Sequence, residues 1–64
     1  MNPIMRFFSY DHLPEGKLQD VSRRFGELAG VMDDALVEGP EKSAGMRKLL
    51  EAKDCFVRAA LEDQ

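Results

Sequence analysis

The sequence predicts an all-α fold: a helical hairpin with an N-terminal extended arm, forming a single domain over residues 1–64 that assembles into a homo-oligomer. Apolar residues recur at spacings of three and four in two segments, as in amphipathic helices. Gly39-Pro40 separates these segments, because glycine favours a left-handed helix C-cap and proline favours a first helical turn. With 64 residues and one cysteine, the chain has neither a large core nor an internal disulfide, so oligomerisation is the remaining common source of stability.

The arm is predicted over residues 1–16. Ile4, Phe7 and Phe8 are too apolar for a solvated segment, so we expect them to pack on a neighbouring surface. Near the end of the arm, Pro14 disfavours helical geometry in the residue before it, which predicts a connector rather than a helix.

The first helix is predicted over residues 17–37. Its apolar positions follow the heptad spacing of a coiled-coil seam: Leu18, Val21, Phe25, Leu28, Met32 and Ala35, widened by Leu36. Gly26 and Gly30 interrupt this helix, and each costs about 1 kcal/mol relative to alanine in a helix interior. They either permit the close approach of another helix or are merely tolerated, and the sequence leaves both alternatives open.

The second helix is predicted over residues 40–62. Glu41 places a carboxylate in the electropositive first turn. Lys53 falls beside the apolar stripe, where a long side chain can bury its stem and keep its ammonium in water. The apolar face comprises Met46, Leu49, Leu50, Phe56 and Ala60.

The composition excludes several classes of partner. A net charge of −3 opposes non-specific binding to DNA or RNA, which requires a broad basic surface. The sequence has no apolar segment of membrane-spanning length and no signal peptide, so we expect a cytoplasmic protein without a membrane partner. The free thiol of Cys55 is consistent with a reducing compartment.

The sequence also predicts that the chain is not an enzyme and carries no cofactor or metal. His12 is the only histidine, and no His/Cys grouping has the spacing of zinc ligands. Cys55 has no neighbouring histidine that could activate its thiol. Asp33 and Asp34 are adjacent in a helix, so their carboxylates do not face one another. Catalysis needs a nucleophile, an acid–base pair or a metal, and none of these is evident.

Four short motifs occur in order along the chain. The first, a Phe-x-Tyr entry followed by a histidine and a proline, lies just before the first helix; the second lies within the first helix, and the other two lie in the second helix. The motifs are Phe8-Ser9-Tyr10-Asp11-His12, Leu28-Ala29, Glu41-Lys42-Ser43 and Leu50-Glu51-Ala52. Their order resembles that in the small phage helical-hairpin proteins which sequester cyclic nucleotides and thereby blunt the bacterial CBASS and Thoeris defences.

The resemblance implies a non-enzymatic sponge for cyclic di- or trinucleotides, or for cyclic ADP-ribose-type messengers, in the host cell cytoplasm. It implies that Tyr10 stacks on a base and that Arg24, or Arg23 in the adjacent register, binds a phosphate. It further implies a compact homo-oligomer, often a hexamer in this family, with nucleotide pockets between protomers. Weaker candidates for contacts to a second, trinucleotide site are Lys42, Ser43 and Arg47.

The residues by themselves also allow a different class of function. Basic side chains on helices are most often solvated, and an apolar seam is most often a packing surface. The alternative is therefore a structural or protein-interaction helical hairpin without a small-molecule ligand.

Overall fold

A computed structural model describes residues 3–13 and 16–62 of the chain. The described residues form a 3₁₀-helix, Pro3–Phe8, followed by two α-helices, α1 (Lys17–Ala35) and α2 (Pro40–Glu62), with no β-strand among them. The two long helices pack against one another, which confirms the predicted all-α helical hairpin.

The N-terminal segment is helical where the sequence predicts an extended arm. Pro3–Phe8 forms a 3₁₀-helix, so the prediction of extended geometry is wrong for these residues. The reason is packing: Phe8 is only 2% exposed, and Ile4 and Met5 pack against the same cluster. A 3₁₀-helix repeats every three residues, which puts Met5 and Phe8 on one side. Residues 1–2 and 14–15 of the predicted arm lie outside the described residues.

The core is small and draws on all three elements. Phe8 of the 3₁₀-helix, Ala29 of α1 and Met46 of α2 are buried together. Ala29 is fully buried, because its single methyl group lets the other two elements approach α1 closely. The partly buried side chains that pack around this cluster are Ile4, Met5, Phe25, Leu49 and Leu50.

The buried face of α1 is rotated from the predicted seam. Ser22 and Ala29 are buried, whereas Leu28 and Met32 of the predicted seam are 43% and 40% exposed. Leu28 and Met32 of the predicted seam are therefore not buried within the hairpin itself. The physical reason is that α1 contacts the 3₁₀-helix as well as α2, and small side chains suit that double contact.

Aromatic packing joins the two long helices at positions that the sequence does place on their apolar faces. The rings of Phe25 and Phe56 stack with centroids 5.5 Å apart and an interplanar angle of 22°. Phe56 nevertheless remains exposed over much of its surface, so this pair lies at the edge of the core. Such pairs contribute about 0.5–1.5 kcal/mol beyond area burial.

The first long helix ends differently from the prediction. α1 ends at Ala35, before the predicted end at residue 37, and Leu36 is extended with φ −120° and ψ 142°. Gly39 is not in the left-handed region, since Gly16 is the one described glycine with positive φ. The glycine cap is therefore wrong. Instead, the Lys42 ammonium donates to the carbonyl oxygens of Asp33 (2.9 Å) and Leu36 (2.8 Å) and satisfies the helix end.

The two glycines of α1 have different surroundings. A Cβ atom added to Gly26 would lie 2.8 Å from the carbonyl oxygen of Phe8, which is too close for an ordinary contact. Gly26 thus permits close approach of the N-terminal segment rather than of another helix of the same chain. A Cβ atom added to Gly30 would meet nothing within 4 Å.

Candidate functional site

Tyr10 lies against α1 immediately after the 3₁₀-helix. A Cβ atom on Gly26 would be 3.4 Å from Cδ1 of Tyr10, so the ring contacts the helix at that glycine. The Gln19 side-chain amide donates to the carbonyl oxygen of Leu13 (3.3 Å), and the Leu13 N–H donates to that of Tyr10 (3.1 Å). These bonds hold the segment from Tyr10 to Leu13 on the first turns of α1.

The helix geometry places Arg23, rather than Arg24, on the face of α1 that bears Gly26 and faces the Tyr10 segment. Gln19, Arg23 and Gly26 follow one another at spacings of four and three, which keeps them on one face of α1. Arg24 stands two residues before Gly26, and at ~100° per residue it points nearly the opposite way. In keeping with this, the Arg24 side chain is 72% exposed.

The guanidinium groups of Arg23 and Arg24 share the carboxylate of Asp20. Arg24 Nε donates to Asp20 Oδ2 at 3.1 Å, and Arg23 is paired with Asp20 Oδ1. These bonds, first to Arg24 and then to Arg23, hold the pKa of Asp20 below its ordinary value. Because one carboxylate faces two permanent cations, this part of α1 retains a net positive charge available to an anion.

Lys42 is engaged within the chain. Its side chain is 6% exposed, and its ammonium pairs with the carboxylates of Asp33 (2.9 Å) and Glu38. Together with the two backbone carbonyls that end α1, four protein oxygens surround a group with three N–H donors. Bonds to Glu38 and then Asp33 raise the pKa of Lys42. The structure thus gives this lysine the role of closing the loop between the helices.

Ser43 and Arg47 lie near Lys42, on the first turns of α2. Ser43 is exposed, and its backbone N–H donates to the Gly39 carbonyl oxygen (3.0 Å) in the first turn of α2. Arg47 is exposed one turn further on. Asp33, which anchors Lys42, is ten residues beyond Arg23, or roughly 15 Å along α1. The fold therefore separates the predicted site residues into two groups.

An apolar groove opens at the loop end of the hairpin. It was not predicted from the sequence. Its volume is about 610 Å³. The exposed residues of the predicted seam lie in this groove. The sequence feature that could have indicated the groove was therefore the excess of apolar positions on α1. Its apolar lining comprises Leu28, Met32, Leu36, Val37, Pro40, Met46 and Leu49.

A second cleft, also missed from the sequence, lies between the 3₁₀-helix, the connector and α2. We call it the basic cleft, because four of its lining residues are Arg6, His12, Lys53 and Arg58; its volume is about 370 Å³. These residues are far apart along the chain, and each alone resembles an ordinary surface residue. No local spacing could have identified them as a group.

The described part of the chain offers no group of three or more His, Cys, Asp or Glu residues that could hold a metal ion. Within residues 3–13 and 16–62, neither long helix is apolar enough to cross a membrane. No protein family, curated protein or solved structure matches the chain. The functional argument therefore depends on the residues and their geometry.

Proposed function

We propose that this protein sequesters cyclic di- or trinucleotides, or cyclic ADP-ribose-type immune messengers, without turnover, and thereby counters bacterial anti-phage defence in the host cytoplasm. The motif resemblance suggests the ligand class. The observation that carries the proposal is the position of Tyr10 on the face of α1 that also bears Arg23. An aromatic face and a guanidinium are the two groups that a nucleotide base and its phosphate require.

Arg23 is the preferred phosphate contact within one chain. It lies on the Tyr10 face and is half-exposed, so it can exchange part of its pairing with Asp20 for a phosphate oxygen. Arg24 is the alternative phosphate contact, since its guanidinium shares the Asp20 carboxylate with that of Arg23. At the loop end, Ser43 and Arg47 remain accessible for a trinucleotide, while the saturated ammonium of Lys42 contributes charge rather than a free donor.

Assembly into a homo-oligomer, by the resemblance a hexamer, is part of this proposal. Val37 is 90% exposed and adjoins Leu36 in the apolar groove. Contiguous apolar surface of this kind usually marks an interaction site. Light scattering at micromolar concentration should return a mass several times that of one chain. A folded species with the mass of a single chain would contradict the assembly.

The function is tested by thermal denaturation with a panel of cyclic nucleotides. A messenger at about 100 times its dissociation constant should stabilise the protein by about 2.7 kcal/mol if it binds only the folded state. Tyr10→Ala should cost about 1–3 kcal/mol of binding, the usual contribution of one base–aromatic stack. Arg23→Gln should also weaken binding and reduce its salt dependence. Lys48→Gln, an exposed charge change on α2, is the matched control.

Two results would contradict sequestration. One is a panel in which no cyclic nucleotide shifts the melting temperature of the assembled protein. The other is recovery of a linearised or cleaved nucleotide after denaturation, when a protein-free control keeps it intact.

The apolar groove favours one alternative, a protein-interaction hairpin without a small ligand. Such a hairpin would place an amphipathic partner segment against Leu28, Met32 and Leu36. Two variants together separate the functions. A protein-interaction hairpin should lose its partner with Leu36→Glu and keep it with Tyr10→Ala, whereas a nucleotide sponge should lose its ligand with Tyr10→Ala.

A further inference from the structure

The basic cleft does not include Tyr10 or Arg23, and it draws its basic side chains from separate elements. Arg6 comes from the 3₁₀-helix, His12 from the connector, and Lys53 and Arg58 from α2. Their convergence depends on the docking of the 3₁₀-helix beside α2.

The charges of the basic cleft are only partly neutralised by the protein. Among the described residues, Asp54 is the one carboxylate of the lining, and it pairs with Lys53 at 3.0 Å. Arg6 stands 4.8 Å over the ring of Phe7, and Arg58 donates to the Cys55 sulfur at 3.3 Å, which is a weak acceptor. Within residues 3–13 and 16–62, neither arginine forms an ion pair with a carboxylate.

We infer that the basic cleft binds the phosphate group of a phosphorylated small molecule. Guanidinium groups present paired N–H donors that match phosphate oxygens, and Arg6 and Arg58 have donors to spare. Ser9, which is exposed, also lines the cleft, and its hydroxyl suits an anion with several acceptor oxygens. The cleft volume of about 370 Å³ is within the range of small-molecule sites.

The rest of the ligand would contact an apolar wall. Phe7, Leu13 and Val57 line the same cleft as the cations. A phosphate monoester with an apolar or aromatic group therefore satisfies the lining better than inorganic phosphate alone.

Two probes test this inference: inorganic phosphate and phenyl phosphate, each exchanged for chloride at constant ionic strength. Binding is followed by the amide resonances of the ¹⁵N-labelled protein. Both probes should give saturable shifts at residues of the basic cleft, and phenyl phosphate should bind more tightly. Arg58→Gln and Arg6→Gln should each weaken binding by about tenfold or more, since a charge-assisted contact is lost.

Both arginines are exposed, so these variants should keep the parent's circular dichroism spectrum, and Lys53→Gln provides a third, less exposed probe of the same cleft. Lys48→Gln removes the same charge elsewhere on α2 and should change the affinity by less than about twofold. The absence of saturable shifts, or equal affinity in the parent and both arginine variants, would overturn the inference. It is independent of messenger sequestration, because phosphate binding without any response to cyclic nucleotides would remove the proposed function and leave the cleft.

Discussion

The two ends of this hairpin are stabilised by different interactions. At the N-terminal end, the 3₁₀-helix docks on α1 through buried Phe8 and a close approach to Gly26. At the loop end, Lys42 ties the helices together through charge and hydrogen bonds, while neighbouring apolar side chains stay exposed. The N-terminal end thus contributes packing to the fold, and the loop end leaves apolar surface exposed.

The same difference separates the two clefts. The groove at the loop end is lined mainly by aliphatic side chains, and the basic cleft carries unneutralised cations. The hairpin buries few side chains. Its exposed apolar groups and its basic groups lie in different clefts. We therefore expect an apolar protein surface at one end and an anionic ligand at the other, and the two can be tested separately.

The largest expected change in stability comes from the N-terminal end of the hairpin. Phe8→Ala should destabilise the fold by about 3–5 kcal/mol, because it removes a buried aromatic side chain and leaves a cavity. A folded domain of this size has a total stability of about 0.05–0.15 kcal/mol per residue, so the variant should be largely unfolded. Circular dichroism during urea denaturation measures the change.

Phe7→Ala is the matched control, since Phe7 is half-exposed and lies in the same 3₁₀-helix. Its loss should cost about 1 kcal/mol or less, including its contact with Arg6. Equal destabilisation by the two substitutions would show that Phe8 does not dominate the docking of this segment.

A smaller change in stability is expected from alanine substitutions at the two glycines of α1, and its sign should differ between them. Gly26→Ala places a methyl group 2.8 Å from the Phe8 carbonyl oxygen. This oxygen is a backbone atom, so relieving the contact requires a shift of the main chain. Overpacking costs about 1–3 kcal/mol and outweighs the helix-propensity gain of about 1 kcal/mol. Gly30→Ala meets nothing within 4 Å and should stabilise the helix by up to about 1 kcal/mol.

Urea denaturation of both variants checks this contrast. Stabilisation by Gly26→Ala would contradict the close approach of the N-terminal segment. Destabilisation by Gly30→Ala, accompanied by loss of the oligomer, would instead place a neighbouring protomer against that glycine.

The helical hairpin was predictable because apolar spacing and Gly39-Pro40 are local signals. The 3₁₀-helix was not, since its formation depends on the burial of Phe8 against residues far along the chain. The rotated face of α1 has the same origin, because the docked 3₁₀-helix selects Ser22 and Ala29 over the larger Leu28. Local spacing predicts that a helix has an apolar face, but tertiary contacts decide which part of it is buried.

The site residues show the same limit. Tyr10 could be identified from its motif, yet choosing between Arg23 and Arg24 required knowing that Gly26 lies under the tyrosine ring. The basic cleft could not be foreseen, because Arg6 and Arg58 become neighbours of one cavity only after folding. Lys42 was identified as a cation, but its partners Asp33 and Glu38 give it a structural role that composition does not reveal.

The smallest expected effect concerns the pH dependence of the loop end. The pKa of Lys42 is raised from the ordinary value of 10.5 by its bonds to Glu38 and Asp33, so the folded state retains this proton more strongly than the unfolded state. The resulting stabilisation is fully present below pH 10.5 and is lost as the pH rises through the folded-state pKa. Lys42→Met removes it and should lower the melting temperature at neutral pH. The difference from the parent should then shrink above pH 10.5, whereas Lys48→Met should differ little from the parent at any pH.

The stabilisation by Asp20 has the opposite pH dependence. Because the pKa of Asp20 is lowered, its contribution is present above pH 3.8 and is lost in acid. Melting curves from acidic to strongly alkaline pH separate the two contributions, and a constant difference between parent and Lys42→Met would contradict the ion-pair role at the loop end.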